Sequence, residues 1–173
     1  MITLQQLKSI YREAPGSRLE PFLEPINLVL QKYSLNTLER QRMFLAQIGH
    51  ESGQLKYTEE LASGTAYEGR KDLGNTESGD GVKYKGRGVI QITGRNNYAL
   101  CSLALDLPLL EKPELLKQLP NCVESAGWFW NNCNLNSYCD KGDFYGLTRR
   151  INGGLNGIED RVLLYKRACE AIT

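Results

Sequence analysis

The residues that could carry chemistry in this sequence are two glutamates and a threonine. Glu51 ends an apolar segment that is predicted to be helical, and Glu60 follows nine residues later. A Gly-rich turn, Lys85–Gly88, then leads into Val89–Thr93. Inverting hydrolysis of a glycosidic bond needs one carboxylic acid, one carboxylate and a held water. We therefore take Glu51, Glu60 and Thr93 as candidate catalytic residues.

The position of Glu51 favours a role as general acid. It lies in the last turn of a predicted helix that ends at Ser52 and Gly53. The negative end of the helix dipole disfavours an ionised carboxylate there, and stability alone would favour Lys or Arg. A carboxyl group that keeps its proton near neutral pH is what a general acid requires. The structural alternative is an ordinary surface glutamate at a helix end.

The general base and the water-holding group are less clearly marked. Glu60 has a neighbour of the same type, Glu59, and either could face a cleft. Alternation along a strand over Val89–Thr93 predicts that Gln91 and Thr93 share one face. On that face the Thr93 hydroxyl would hold the water and the Gln91 amide would bind a sugar. The alternative is an edge strand with a solvated polar face.

Length and charge limit the classes of function. The 173 residues suit one domain, and 21 basic residues nearly balance 20 acidic ones. A net charge of +1 offers no electrostatic basis for binding nucleic acid or an anionic membrane. No apolar run approaches the roughly 18 residues of a membrane span. The first residues lack a charged start followed by an apolar stretch, so we expect no signal peptide and production in a cytoplasm.

No metal or other cofactor is expected. The only histidine is His50, which excludes both a zinc-protease motif and a Cys/His zinc site. The five cysteines are odd in number and lack CxxC spacing, so we predict buried, reduced thiols. Trp128, Phe129 and Trp130 could stack on sugar rings, but helical spacing places at least one of them in the core.

The hydrophobic pattern predicts a mainly α-helical fold with one Gly-rich lobe. Seven glycines between Ala62 and Gly88 indicate an irregular segment with at most a small hairpin, and its boundary is a natural cleft. Asn36 and Glu39 resemble a capping box that opens the helix containing Glu51. The other predicted helices span Thr3–Ala14, Phe22–Tyr33, Asn97–Leu105, Pro113–Leu119, Val123–Cys133, Asp143–Ile151 and Ile158–Ala171.

Several separate motifs, in order, resemble glycoside hydrolase family 19, the family of plant chitinases and lysozyme-like phage endolysins. The resemblance runs from about Phe44 to Arg167. It implies a lysozyme-like, two-lobed helical fold and an inverting mechanism. The motifs that carry it are His50–Gly53, Tyr84–Gly88, Ile90–Thr93, Asn97–Tyr98 and Ile151–Gly154.

The resemblance also implies roles for single residues. Glu51 matches the general acid, Glu60 resembles the base of the endolysin branch, and Thr93 stands where the family holds the water. Arg161 is similar to the arginine that pairs with the base. From the residues alone, His50 is a structural hydrogen-bonding group. Positions matching the substrate-binding part of the family are His50, Tyr84, Gln91, Asn97, Asn152 and Arg161.

These expectations combine into a function. Residues 1–173 are expected to form a single catalytic domain without a separate cell-wall-binding domain. The short segment after Glu51 favours a muramidase-type endolysin, which cuts β-1,4 bonds between N-acetylmuramic acid and N-acetylglucosamine in peptidoglycan. The enzyme is expected to be a monomer of phage or prophage origin that passes a holin pore to lyse the host. The alternatives are a chitinase and an inactive glycan-binding domain.

Overall fold

The fold is mainly helical, as predicted, and the computed structural model describes all residues 1–173. Short 3₁₀ helices span Thr65–Tyr67, Lys71–Leu73 and Pro113–Lys117. Extended structure is confined to two isolated bridges, both of which involve Arg87. The α-helices are α1 (Leu4–Ile10), α2 (Gly16–Lys32), α3 (Leu38–Glu51), α4 (Asp80–Lys83), α5 (Arg95–Leu105), α6 (Asn121–Asn132), α7 (Asn136–Asp140), α8 (Phe144–Asn152) and α9 (Ile158–Ala171).

One hydrophobic core fixes the helices relative to each other. Helix α3 packs against α9 and α7, α1 against α9 and α2, and α6 against α2 and α5. Within this core the rings of Phe44 and Trp130 meet edge to face, with centroids 5.1 Å apart. Aromatic pairs in this geometry stabilise a core beyond their area burial. The core therefore holds the end of α3, with Glu51, against the start of α9.

The Gly-rich lobe, residues 59–93, is organised by buried polar contacts. The Asp80 carboxylate accepts hydrogen bonds from the Arg95 guanidinium at 2.6 and 2.8 Å, and the pair lowers the pKa of Asp80. The buried Asn75 side chain accepts from the Arg95 backbone N–H and donates to the Tyr67 carbonyl. These contacts attach the lobe to the first turn of α5.

Some helix boundaries agree with those predicted from local sequence patterns. The predicted bounds of α9 and the end of α3 at Ser52 are confirmed. The capping prediction for α3 is wrong by one residue, because Thr37 and not Asn36 accepts from the Arg40 backbone N–H.

Other helix predictions are corrected, and two short helices were not predicted. The first helix ends at Ile10 instead of Ala14, and the unpredicted helices are α4 and α7. Helix α2 begins six residues before the predicted Phe22, at Gly16, and contains two prolines. A proline inside a helix costs about 3 kcal/mol. The burial of apolar side chains of α2 in the core offsets that cost. These side chains are Leu19, Phe22, Ile26, Val29 and Leu30.

The cysteines are unpaired, and three of the five are buried. Burial raises the pKa of the Cys101, Cys122 and Cys139 thiols to about 12, so these groups behave as small apolar side chains. Cys133 and Cys169 are half-buried. Among the helices, none is long and apolar enough to cross a membrane.

Candidate active site

A cleft of about 420 Å³ lies between the Gly-rich lobe and the helical body. This volume lies within the range of ligand-binding pockets. The lobe contributes Tyr67, Leu73 and residues 90–93, and the helical body contributes α3, α5, α6 and α8. The cleft is lined by Glu51, Tyr67, Leu73, Ile90, Gln91, Ile92, Thr93, Asn97, Phe129, Ile151 and Asn152.

Glu51 reaches this cleft from the last turn of α3. Its carboxylate oxygen Oε1 accepts a hydrogen bond from Nη2 of Arg161 at 2.5 Å. Arg161 is 1% exposed, and its other guanidinium nitrogens donate to the Gln47 side chain and the Asn156 carbonyl. The predicted pairing of Arg161 with Glu60 is therefore wrong, because α9 packs against α3 and not against the lobe.

Glu60 belongs to the lobe and is held by two donors. Its carboxylate oxygen Oε2 accepts from the Gly86 backbone N–H at 3.1 Å and from the Tyr67 hydroxyl at 3.0 Å. The second oxygen, Oε1, is buried and has no hydrogen-bond partner in the protein. Since buried carboxylate oxygens are normally hydrogen-bonded, this one is free to accept a bond from a ligand or a water.

Glu59 has a different environment from its neighbour. Its carboxylate accepts from Arg87 at 2.9 Å and from Lys117 at 3.0 Å. Burial opposes ionisation, but these bonds outweigh it and lower the pKa of Glu59. Both oxygens are thus paired with cations, and the pair with Lys117 connects the lobe to the 3₁₀ helix Pro113–Lys117. Glu59 ties structural elements together, and Glu60 is the member of the pair with a free oxygen.

Gly86 allows three side chains to converge. A β-carbon at this position would lie 2.7 Å from Glu60 Oε2, 2.9 Å from Gln91 Oε1 and 3.3 Å from Thr93 Oγ1. A side chain at this position would therefore displace the ends of these three side chains. Glu60, Gln91 and Thr93 are therefore gathered around one backbone position beside the cleft.

The predicted strand Val89–Thr93 is wrong. Arg87 and Ile92 exchange backbone hydrogen bonds at 3.1 and 2.8 Å across a tight turn, and Gln91 has φ of 59°. The Gln91 side chain donates to the Gly88 carbonyl, which stabilises this conformation. The expectation that Gln91 and Thr93 lie together is still met, because the turn directs both toward Gly86.

Thr93 has a defined hydroxyl orientation. Its Oγ1 donates to the Gln91 carbonyl at 3.0 Å. Since a hydroxyl has one proton and two lone pairs, Oγ1 remains an acceptor toward the cleft. The Asn97 amide, one turn into α5, donates to the Thr93 carbonyl at 2.8 Å and lines the same cleft.

Asn152 also lies in the cleft, at the end of α8. Its Nδ2 is buried and has no hydrogen-bond partner in the protein. The neighbouring wall is apolar and consists of Ile151 and Phe129. An unpaired amide donor beside an apolar wall is suited to a ligand that combines a carbonyl with a methyl group, as an acetamido group does.

His50 and Tyr84 lie outside the cleft, so their predicted substrate-binding roles are not supported by their positions. His50 Nδ1 lies 2.7 Å from Asp160 Oδ2, and its ring fills the space that a side chain at residue 157 would need. Tyr84 is fully buried and donates to the Leu110 carbonyl. His50 thus matches the expectation of a structural hydrogen-bonding group.

Sequence reasoning missed Tyr67, which donates to Glu60 and lines the cleft. Of the three aromatic residues considered for sugar stacking, Phe129 lines the cleft, whereas Trp128 and Trp130 belong to the core. A polar partner for the Tyr67 hydroxyl could have been suspected, because buried tyrosines usually have one.

Comparisons with known proteins agree with this geometry. The profile of glycoside hydrolase family 19, described as chitinase class I, matches residues 43–141. A Haemophilus influenzae protein described as a glycosyl hydrolase family 19 domain-containing protein is 34% identical over 174 residues, covering 83% of this chain and 85% of that protein.

The chain belongs to glycoside hydrolase family 19. An Arabidopsis thaliana endochitinase is 38% identical over 141 residues, which cover 74% of this chain but only 46% of the plant protein. The structure of a bacterial family 19 chitinase superposes with a TM-score of 0.80 at 23% identity, covering 99% of this chain and 94% of that one. The class IV chitinase of Zea mays gives 0.76 at 25% identity, with 99% and 92% coverage. The predicted family and the chitinase-like helical fold are confirmed.

Proposed function

We propose that this family 19 glycoside hydrolase cleaves β-1,4 bonds in bacterial peptidoglycan by an inverting mechanism. The observation that carries the proposal is the contrast between Glu51, which lines the cleft, and Glu60, which is not a lining residue but lies beside the lining residues Gln91 and Thr93. Glu51 is held by Arg161, and Glu60 has one oxygen with no partner in the protein. Inverting hydrolysis needs such unlike carboxyl groups, one to protonate the leaving oxygen and one to activate water.

In this proposal Glu51 is the general acid. It comes from the rigid end of α3, and Arg161 fixes the orientation of its carboxyl group. Protonation of the glycosidic oxygen lets the leaving sugar depart as an alcohol. The ionised Glu51 that remains is then stabilised by the buried guanidinium.

Glu60 and Thr93 would hold the attacking water between them. The Thr93 hydroxyl donates its proton to the Gln91 carbonyl, so Thr93 Oγ1 can accept a hydrogen bond from water. Glu60 Oε1, which has no partner in the protein, would accept a hydrogen bond from the other O–H of the same water. Glu60 would then take that proton as the water attacks. The water lone pair then faces the anomeric carbon. Gln91, Asn97 and Asn152 are the polar groups left to bind the sugar rings.

Peptidoglycan is favoured as the polymer by the short chain between the two carboxylates. Only eight residues separate Glu51 from Glu60 in the sequence. A short segment there resembles the endolysin branch more than the plant chitinases. The bacterial relative is matched over 85% of its length, and the plant endochitinase over 46%. The bond would be the one between N-acetylmuramic acid and N-acetylglucosamine.

Chitin is the second candidate, because the plant relatives and the solved structures are named chitinases. Both polymers contain N-acetylglucosamine, which suits the acetamido-binding character of the wall at Asn152. A glycan-binding domain without activity is disfavoured, because binding alone has no use for Glu51, Glu60 and Thr93 together. The proposal includes synthesis in a bacterial cytoplasm as a monomer and passage to the wall through a holin pore.

Product analysis tests the choice of polymer. Purified peptidoglycan and chitin are digested in parallel, and the products are identified by mass spectrometry after reduction. Products with reduced muramic acid at the end support the muramidase proposal. Release of N-acetylglucosamine oligomers from chitin alone would establish the chitinase alternative. No glycan cleavage in either polymer would support the inactive glycan-binding domain instead.

Thr93→Val is expected to lower kcat with little change in KM. The substitution keeps the shape and removes the oxygen that orients the water, a group that acts mainly in the transition state. Thr93→Ser should recover much of the activity, because it restores the hydroxyl. Steady-state kinetics of the two variants provide the measurement. A raised KM at unchanged kcat would make Thr93 a substrate contact only.

Arg161→Ala is expected to lower kcat with little change in KM. Without the guanidinium, the Glu51 carboxyl group loses the hydrogen bond that fixes its orientation. Arg167→Ala is the matched control, because Arg167 lies on the same helix and pairs with the remote Glu13. A wild-type kcat in Arg161→Ala would show that catalysis does not depend on the pair of Arg161 with Glu51.

A further inference from the structure

A buried chain of polar side chains lies behind Glu51. Gln47 and Thr148 are fully buried, and Arg161 is 1% exposed. Arg161 Nη1 donates to Gln47 Oε1 at 2.5 Å, and Gln47 Nε2 donates to Thr148 Oγ1 at 2.9 Å. Thr148 Oγ1 donates in turn to the Phe144 carbonyl at 2.9 Å. The chain therefore runs from Glu51 through three side chains to the backbone of α8.

The direction of every bond in this chain is fixed by chemistry. A guanidinium can only donate, so the Gln47 carbonyl oxygen must face Arg161. The Gln47 amide nitrogen must then face Thr148, which has to accept. The Thr148 proton is left for the Phe144 carbonyl. No member of the chain can reverse its role, so the guanidinium of Arg161 has a single favourable orientation.

This chain of hydrogen-bonded side chains also connects the parts of the molecule that form the site. Gln47 lies one helical turn before Glu51 on α3, so the two side chains share a face of that helix. Thr148 lies one turn before Asn152 on α8, and Asn152 lines the cleft. Arg161 belongs to α9. Three helices and the cleft wall are thus held in register by the same hydrogen bonds.

Burying such polar groups costs free energy even when they are hydrogen-bonded to each other. A fully buried amide and hydroxyl lose their hydration, and an apolar pair of similar volume would avoid that cost. Networks that are fully satisfied specify one arrangement of their members. Glu51 is the only carboxylate within 4.0 Å of Arg161. A wrong guanidinium orientation would therefore displace the carboxyl group of Glu51 directly.

We propose that Gln47 and Thr148 are positioning residues for catalysis, which fix Arg161 and through it the carboxyl group of Glu51. The inference rests on the proposed function of Glu51 as general acid. Misplacement of a catalytic group by about 1 Å can cost about 10²-fold in rate. Substrate binding should change little, because neither Gln47 nor Thr148 lines the cleft.

The first test compares Thr148→Val with Thr148→Ser and includes Gln47→Leu. We expect Thr148→Val and Gln47→Leu to lower kcat by about 10- to 100-fold with KM within about threefold of the wild type. Thr148→Ser keeps the hydroxyl and should restore most of kcat. Asn27→Leu is the matched control, because its half-buried amide bonds with the backbone of Ile2 on another face of the molecule. It should leave kcat unchanged.

The second test uses Gln47→Glu, which keeps the shape and the acceptor toward Arg161. The added carboxylate competes with Glu51 for the guanidinium and cannot donate to Thr148, so the fixed orientation of Arg161 should be lost. We expect kcat to fall by about 10- to 100-fold with KM within about threefold of the wild type. A role in folding alone would change the melting temperature of this variant and leave kcat in place.

Glu51→Gln, measured in parallel, separates the two proposals. An inactive Glu51→Gln with wild-type kcat in the Gln47 and Thr148 variants would overturn this inference and leave the proposed function standing. An active Glu51→Gln would overturn the proposed function itself. If Gln47→Leu fails to fold, the comparison of Thr148→Val with Thr148→Ser and the kcat of Gln47→Glu still test the inference.

Discussion

Glu51→Gln should lower turnover by about 10²–10⁴-fold, the range that general acid catalysis typically contributes. The glutamine keeps an oxygen that can accept the Arg161 hydrogen bond, so the end of α3 should retain its structure. It has no proton acidic enough to give to a leaving sugar. The loss should therefore appear in kcat, while glycan binding and the melting temperature stay close to those of the wild type.

The control for this variant is Glu13→Gln. Glu13 is an exposed glutamate that also pairs with an arginine of α9, Arg167, but it lies outside the cleft. Both variants thus replace the carboxylate of an arginine–glutamate ion pair with an amide, and only Glu51→Gln makes that change in the cleft. Comparable activity of the two would show that Glu51 is not the acid.

Glu60→Gln should be about as damaging as Glu51→Gln, whereas Glu59→Gln should leave kcat nearly unchanged. An amide cannot take a proton from water, so the Glu60 variant loses the base. Glu59 has both oxygens bonded to Arg87 and Lys117. Its replacement should instead reduce the free energy of unfolding, because the buried guanidinium of Arg87 loses its carboxylate partner.

This pair of variants is a sharp test because the residues are adjacent and of the same type. Rates on the cleaved polymer and the urea midpoint are measured for both. The proposal expects a loss of rate in one variant and a loss of stability in the other. If Glu59→Gln were the inactive one, the assignment of the base would be wrong by one residue.

The sequence predicted what local patterns determine. The apolar spacing of α9 defined its bounds, and Ser52 with Gly53 marked the end of α3 and so the position of Glu51. For Val89–Thr93 the sequence predicts a strand, because the apolar alternation there has the period of a strand. The conformation is set instead by the bonds between Arg87 and Ile92, which periodicity does not report.

The partners of charged side chains could not be predicted in the same way. Glu59 and Glu60 are indistinguishable as sequence, and their roles separate only through Arg87, Lys117 and Gly86. Arg161 pairs with Glu51 because α9 packs on α3, a contact between residues 110 positions apart. Such contacts depend on the packing of the helices, so they become visible only in the folded molecule.

The stereochemistry of the first product tests the central claim most directly. If Glu51 is the acid and Glu60 activates a water held by Thr93, the water attacks the sugar face opposite the leaving group. A soluble β-1,4-linked oligosaccharide of the cleaved polymer is digested and followed by proton NMR in the first minutes, before mutarotation. The proposal predicts that the α anomer appears first. An initial β anomer would contradict the mechanism. It would indicate a retaining enzyme, which forms a covalent intermediate and holds its two carboxyl groups only about 5–5.5 Å apart.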